Sequence, residues 1–206
     1  MMSTPATTPI GDHILTRADG RRVAWSEWGR AKGPPVLLLH RNPGSRLLDP
    51  DSAATAASEL RLLTVDRPGY GGTDPVVDPT AAAASSDVAS VVGELGLEGV
   101  ALIGWSGGGL FALQAAAALG DRLRSLSLLC TPAPDDAIPW VPGDFRPLVE
   151  SAPVRLWYGD ADWIEPEHGL WYARQLADAQ LTLVPGAGHL LPLTNWRVIL
   201  EAALTA

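Results

Sequence analysis

One serine in this chain stands in a setting typical of catalytic nucleophiles. Ser106 is the centre of the pentapeptide Gly-Trp-Ser-Gly-Gly at residues 104–108, which fits Gly-x-Ser-x-Gly. An apolar run at residues 100–103 precedes it and an alanine-rich stretch follows, which predicts a strand, a tight turn and a helix. Glycine fits such a turn because it has no side chain to collide with neighbouring backbone. The pattern predicts a nucleophilic serine with the backbone N–H of Gly107 beside it; an ordinary glycine-rich turn is the alternative.

A serine hydroxyl is a poor nucleophile at neutral pH, so a base must take its proton. In open α/β sheets, catalytic groups lie beyond the carboxyl ends of the strands. Asp162 follows a strand predicted at residues 154–158, and His189 follows one predicted at residues 181–184. With Ser106 these residues stand in the order Ser, Asp, His, and their types suit a nucleophile, an orienting acid and a base.

Positioning these three residues requires a framework of strands and helices. An antiparallel hairpin is predicted at residues 10–28, with Asp19-Gly20 as its turn. Further strands are predicted at residues 36–40, 61–65, 100–103, 123–130, 154–158 and 181–184. Helices are predicted at residues 51–60, 79–97, 108–119, 165–177 and 191–204. This alternation predicts an α/β fold: a mostly parallel sheet of about eight strands with helices on both faces.

The bulk properties of the chain exclude several classes of function. Its 206 residues are 47% hydrophobic and 18% charged, as in a globular domain. A formal net charge of −8 argues against nucleic acid or an anionic membrane as a partner. Cys130 is the one cysteine, which excludes an intrachain disulfide and a cysteine-based metal site. No cofactor and no metal are expected.

The organisation of the chain is predicted to be simple. Residues 1–10 are expected to be a flexible N-terminal tail, and residues 11–206 a single domain. The sequence shows neither a signal-peptide pattern nor an apolar run long enough for a membrane span. A cytoplasmic protein, monomeric or homodimeric, is therefore expected.

The motifs taken together resemble the α/β-hydrolase fold family, from about residue 11 to the end. The matching pieces lie at residues 21–29, 40–44, 66–71, 104–108, 159–162 and 186–189. They are specific for the fold but weakly specific for the substrate, because this fold hosts many activities. The resemblance implies a serine hydrolase that cleaves carboxylic esters or thioesters through an acyl-enzyme on Ser106. A small-molecule ester is the expected partner.

The resemblance also implies roles for residues near the serine. The backbone N–H groups of Asn42 and Gly107 would form the oxyanion hole, and His40 would support the loop that carries Asn42. The family spacing Gly-x-x-Asp selects Asp162 over Asp160 as the acid. A less favoured position for the acid, after the preceding strand, would use Asp135 or Asp136.

Substrate-binding candidates surround this constellation. They are Arg41, Trp105, Trp140 and Trp163, and the tryptophans beside Ser106 and Asp162 could equally be core residues. Other side chains are expected to be structural: Asp66 and Arg67 as an ion pair, Cys130 as an inert buried residue, and His13 and His168 as surface residues.

Two departures from the family pattern concern the surroundings of the serine. Arg41 stands where the family usually has glycine; an outward-pointing side chain is favoured over one that reaches in to bind an anionic group. The helical cap common in the family is reduced to residues 131–153, a stretch broken by prolines. Trp140 and Phe145 in this stretch could form a partial lid or cover apolar surface exposed by the absence of the cap, and a partner subunit could cover that surface too. An open site favours hydrolysis over transfer to other acceptors.

Three alternatives to the ester hydrolase remain open. The chain could be a lactonase or a peptidase of the same fold, or a non-catalytic ligand-binding or interaction protein. Haloalkane dehalogenase and epoxide hydrolase chemistry is disfavoured, because those relatives use an aspartate nucleophile and position 106 is serine.

Overall fold

The computed structural model describes residues 8–77, 81–134, 152–176 and 178–205. Its strands are β1 (Gly11–Thr16), β2 (Arg22–Gly29), β3 (Pro35–Leu39), β4 (Arg61–Val65), β5 (Val100–Trp105), β6 (Leu123–Leu129), β7 (Val154–Gly159) and β8 (Gln180–Val184). Its helices are α1 (Ser52–Ala57), α2 (Ala81–Glu94), α3 (Gly107–Leu119), α4 (Pro166–Gln175) and α5 (Pro192–Leu204). A 3₁₀ turn, Gly120–Arg122, joins α3 to β6.

The strands form one eight-stranded sheet in the order β1-β2-β4-β3-β5-β6-β7-β8. The hairpin strands β1 and β2 pair antiparallel with each other, and β2 pairs antiparallel with β4. Every later pairing is parallel. The predicted α/β architecture, with about eight mostly parallel strands, is confirmed.

Apolar side chains of the central strands alternate between two cores, one on each face of the sheet. Leu37 and Leu102 belong to the core that packs against α2, α3 and α4. Leu38 and Ile103 belong to the core that packs against α1 and α5. Successive side chains of a strand point to opposite faces. Continuous apolar runs are therefore needed where both faces are covered.

The order of the strands reverses at β3, which lies between β4 on one side and β5 on the other. Leu39, the last residue of β3, is paired with Gly104, near the end of β5. A crevice forms beyond the carboxyl ends of strands at such a reversal. The loop after β3 and the turn after β5 are therefore brought side by side.

The predicted helices differ from the structure at their ends. The first helix, expected at residues 51–60, ends at Ala57, because Glu59 has a φ of 50° and cannot continue it. The proposed cap remnant at residues 131–153, with Trp140, Asp135 and Asp136, lies mostly outside the described residues. Among the described residues, no helix is both long and apolar enough to cross a membrane.

Candidate active site

Ser106 occupies a strained turn between β5 and α3. Its φ of 56° and ψ of −127° lie outside the regions that side-chain-bearing residues favour, a conformation that costs about 1–3 kcal/mol. The turn is held at both ends: the Ser106 N–H donates to the carbonyl of Leu129 at 2.8 Å, and the Gly109 N–H donates to the carbonyl of Ser106 at 2.9 Å. The hydroxyl is thereby raised above the end of the sheet.

The glycines around Ser106 are required by close packing. A Cβ on Gly108 would overlap the carbonyl oxygen of Leu39, and one on Gly104 would overlap the Cα of Gly109. These are backbone atoms, which cannot rotate away as a flexible side chain could. The physical reason that the sequence suggested for the glycines, a turn without room for side chains, is confirmed.

Three strand ends bring Ser106, His189 and Asp162 together. The His189 Nε2 lies 2.9 Å from the Ser106 Oγ, and its Nδ1 lies 3.1 Å from both carboxylate oxygens of Asp162. An ionised carboxylate only accepts hydrogen bonds, so Nδ1 carries the proton and Nε2 accepts from the serine hydroxyl. The Asp162 side chain is fully buried and that of His189 is 14% exposed. The arrangement can move a proton from Ser106 to His189.

The loops carrying the acid and the base are anchored separately. The Asp162 Oδ1 also accepts from the Ile164 N–H at 2.9 Å. The indole N–H of Trp105 donates to the carbonyl of His189 at 3.0 Å. Trp105 is buried at 1% exposure, so it supports the His189 loop from within the core and forms no wall of the site. Nothing in the sequence indicated this hydrogen bond, because its partners are 84 residues apart.

The other proposed substrate-binding residues lie in contrasting places. Trp163 is 72% exposed, and its ring lies 4.8 Å from that of His189, at the mouth of the site. The preference for an outward-pointing Arg41 is wrong: its guanidinium lies over the Trp105 ring at 5.2 Å, and its Nε is buried. Cation–π attraction to an indole explains the inward direction.

The loop after β3 lies beside the first residue of α3. The His40 Nδ1 donates to the carbonyl of Arg41 at 2.9 Å, which holds the start of this loop as the sequence suggested. A Cβ on Gly107 would lie 2.9 Å from the Asn42 Nδ2, so Asn42 and Gly107 adjoin. The Gly107 N–H lies in the first turn of the helix, where N–H groups have no helical carbonyl partner.

The expected ion pair between Asp66 and Arg67 is wrong. Asp66 instead accepts from the Arg46 side chain at 2.8 Å and from the N–H groups of Arg46 and Gly72 at 2.6 and 2.9 Å. Arg67 donates to the Oδ1 of Asn42. The two side chains follow β4 directly, and consecutive side chains of an extended chain point in opposite directions.

The remaining candidates also have defined surroundings. Cys130 is fully buried, and its Sγ lies within 4.8 Å of ligand atoms of Asp162 and His189. Burial raises the pKa of its thiol. His13 stacks on Trp25 near the surface. His168 is half-buried rather than a surface residue, and its Nδ1 accepts from the Ala133 N–H at 2.9 Å.

A comparison with family models decides the family. Residues 34–150, more than half of the chain, match the model of the alpha/beta hydrolase fold. The chain belongs to the alpha/beta hydrolase fold family.

Solved structures and curated proteins agree with this alpha/beta hydrolase assignment. The crystal structure of bromoperoxidase from Bacillus anthracis has a TM-score of 0.80 and 18% identity, over 95% of this chain and 100% of that one. Epoxide hydrolase 3 of Siraitia grosvenorii is 32% identical over 64% of the chain and 43% of its own length. "Probable oxidoreductase EphD" of Mycobacterium tuberculosis is 28% identical over 69% of the chain and 25% of its own length. The chain thus spans less than half the length of these curated relatives.

His40 makes the stability of this alpha/beta hydrolase depend on pH. Burial, together with the nearby Arg67 charge, lowers the pKa of His40 from 6.5 to about 4. Between these values the unfolded chain binds a proton that the folded chain does not, so stability falls as the pH falls from 6.5 towards 4. The wild type should lose about 2 kcal/mol of its free energy of unfolding between pH 8 and pH 5 because of His40. We expect His40→Asn to lack this loss. The asparagine side chain still offers a donor for the Arg41 carbonyl.

Urea denaturation of both proteins at pH 8, 6.5 and 5 measures this difference. The difference in free energy of unfolding between the two proteins at pH 8 gives the pH-independent cost of the substitution. The differences at pH 6.5 and pH 5 are compared with it. Equal pH slopes for the two proteins would contradict a neutral, buried His40.

Proposed function

We propose that this protein is a serine hydrolase that cleaves small carboxylic esters or thioesters. The observation that carries the proposal is the unbroken hydrogen-bonded series from the Ser106 Oγ to His189, 2.9 Å, and from His189 to Asp162, 3.1 Å. Such a series serves acyl transfer because its members divide the work: the serine attacks, the histidine transfers protons and the carboxylate orients the ring.

In the acylation step, the Ser106 Oγ attacks the carbonyl carbon of the substrate while its proton passes to the His189 Nε2. The carbonyl π electrons move to oxygen, and the oxyanion accepts from the backbone N–H groups of Gly107 and Asn42. The helix dipole of α3 adds a favourable field at this position. The tetrahedral intermediate then collapses, and the leaving alkoxide or thiolate takes the proton from His189.

Water completes the reaction by the same route. His189 removes a proton from a water molecule, whose oxygen attacks the acyl carbon on Ser106. Collapse of the second intermediate breaks the bond to Oγ, which recovers its proton from His189, and releases the carboxylic acid. Asp162 stays ionised throughout and stabilises the imidazolium that forms in each half-reaction.

The identity of residue 106 favours ester chemistry over the activity for which the relative Epoxide hydrolase 3 is named. A serine nucleophile forms an acyl-enzyme from an ester, a thioester or a lactone. The exposed Trp163 ring beside His189 offers an apolar surface for the acyl or alcohol group. Trp140 was a further candidate for such contacts, and it lies outside the described residues.

Covalent labelling tests the nucleophile without knowledge of the natural substrate. A fluorophosphonate probe is expected to add once to the wild type, to fail with Ser106→Ala, and to react normally with Ser90→Ala. The half-buried Ser90 is a suitable control because, in the part of the chain that the structure describes, its hydroxyl donates to the carbonyl of Ser86 on α2. Intact-mass spectrometry reads the result.

Turnover is measured on the same proteins with p-nitrophenyl acetate and butyrate, a phenyl thioester, a lactone and a p-nitroanilide. We expect hydrolysis of the esters or the thioester, and loss of that activity in Ser106→Ala. Faster turnover of the lactone or the anilide would favour the lactonase or peptidase alternative. Absence of both labelling and turnover in the folded wild type would favour a non-catalytic ligand-binding protein.

A further inference from the structure

Arg67 is a buried cation without a carboxylate partner among the described residues. It is 3% exposed, and its Nε is buried without a hydrogen bond. Its guanidinium lies between two aromatic rings, with the Cζ 4.6 Å from the Tyr70 centroid and 4.7 Å from the Phe111 centroid. The acidic neighbour, Asp66, is occupied by Arg46. A buried charge is costly unless it is paired, so this position calls for an explanation.

Among the described residues, the short side-chain hydrogen bond of Arg67 goes to the amide of Asn42, and the His40 Nδ1 lies further away, at 3.5 Å. The Nη2 of Arg67 donates to the Asn42 Oδ1, and the Tyr70 hydroxyl lies 3.5 Å from the same oxygen. Arginine has donors and no acceptor. The amide oxygen of Asn42 must therefore face Arg67, and its Nδ2 must face the other way.

The other side of the amide adjoins Gly107, whose backbone N–H is the first proposed oxyanion donor. From a Cβ placed on Gly107, the Asn42 Nδ2 would be 2.9 Å away and the Oδ1 3.8 Å away. Asn42 is exposed, and its Nδ2 donates to no acceptor among the described residues. Within the described residues, two side-chain N–H donors are therefore unpartnered beside Gly107 and its backbone N–H.

We propose that the Asn42 side-chain amide is a third oxyanion donor and that Arg67 is the positioning residue that turns it towards the substrate. This inference rests on the proposed function. A cation bonded to the amide oxygen polarises the amide, which strengthens its N–H donors. A donor fixed before the reaction stabilises the developing charge without reorganisation. This role explains why Arg67 is buried without a carboxylate partner among the described residues: its charge orients and polarises the Asn42 amide.

The first test separates the side chain of Asn42 from its backbone. Asn42→Ala keeps the backbone N–H and is expected to lower kcat on p-nitrophenyl butyrate by about 10²-fold, with KM changed less than about threefold. Asn42→Asp gives Arg67 the carboxylate it lacks and places an oxygen where the donor was. It is expected to lower kcat at least as far while its Tm stays equal to or above that of the wild type.

The second test is a double-mutant cycle with Arg67→Met, which removes the donors and keeps bulk between the two rings. Alone it is expected to lower kcat about tenfold or more. In the Asn42→Ala background it is expected to change kcat less than about twofold, because the amide that it positions is gone. A purely structural Arg67 would lower kcat by the same factor in both backgrounds and would overturn its assignment.

Failure of the Asn42 donor can be told apart from failure of the serine mechanism. If the wild type hydrolyses the ester and Asn42→Ala retains kcat within about threefold, the side-chain donor is wrong while the serine mechanism stands. If the wild type neither hydrolyses esters nor reacts with the fluorophosphonate, the proposed function fails first, and the third-donor assignment fails with it.

Discussion

Asp162→Asn is expected to lower kcat for ester hydrolysis by about 10⁴-fold while leaving the fold intact. The Ile164 N–H donates to the Asp162 Oδ1 and would hold the asparagine oxygen in that place. The new amide nitrogen would then replace Oδ2 and point at the Nδ1 of His189, 3.1 Å away. His189 would be forced to carry its proton on Nε2, where it must accept one from Ser106.

Asp160→Asn is the matched control for this substitution. The Asp160 Oδ1 accepts from the Gly186 N–H at 2.6 Å on the exposed side of the same loop, and an asparagine oxygen can do the same. We expect its kcat to stay within about threefold of the wild type. Steady-state kinetics with p-nitrophenyl butyrate and circular dichroism of both variants give the comparison. A kcat for Asp162→Asn within about tenfold of the wild type would remove Asp162 from the mechanism.

Gly108→Ala is expected to destabilise the protein by about 2–3 kcal/mol and to reduce kcat as well. Its Cβ would overlap the carbonyl oxygen of Leu39 and lie 2.6 Å from that of His40. Both oxygens belong to the backbone at the end of β3, so relief requires α3 to move away from the strand. That movement separates Gly107 from Asn42 and with them the two sides of the proposed oxyanion hole.

A glycine-to-alanine substitution on another helix should stabilise the protein instead. Gly93 lies on the exposed side of α2, where a Cβ would meet only the end of the Arg122 side chain at 3.9 Å. Gly93 is the last residue but one of α2, so Gly93→Ala is expected to stabilise the protein by up to about 0.5 kcal/mol, the lower end of the gain in a helix interior. Urea denaturation measures both variants. A Gly108→Ala protein as stable as the wild type would show that α3 and β3 are not in tight contact.

Local sequence was enough to predict most of the strands and helices. The apolar runs of the central strands, the glycine turn at Ser106 and the Asp19-Gly20 hairpin turn all depend on neighbouring residues alone. Helix ends were less predictable: α1 stops early because a single residue, Glu59, adopts a positive φ. Such a choice depends on packing around the turn, which the sequence pattern does not record.

The candidate site also has a part that local sequence predicts and a part that it does not. Ser106, Asp162 and His189 could be named because each follows a strand that its own neighbourhood identifies, and the parallel sheet carries all such positions to one edge. Their roles in catalysis are a proposal that the labelling and kinetic experiments test. The surroundings could not be named, because their partners come from loops distant in sequence.

What the sequence by itself determined is therefore the alpha/beta framework and the three residues at its strand ends, since apolar periodicity and turn residues act over a few positions. What only the tertiary structure decided is where the charged side chains of the loops point. Arg41 turns inward because Trp105 lies beneath it, and Arg67 bonds Asn42 because the strands they follow, β4 and β3, are parallel neighbours in the sheet. The strand order brings the loops together, and the alternation of side chains selects which groups face each other.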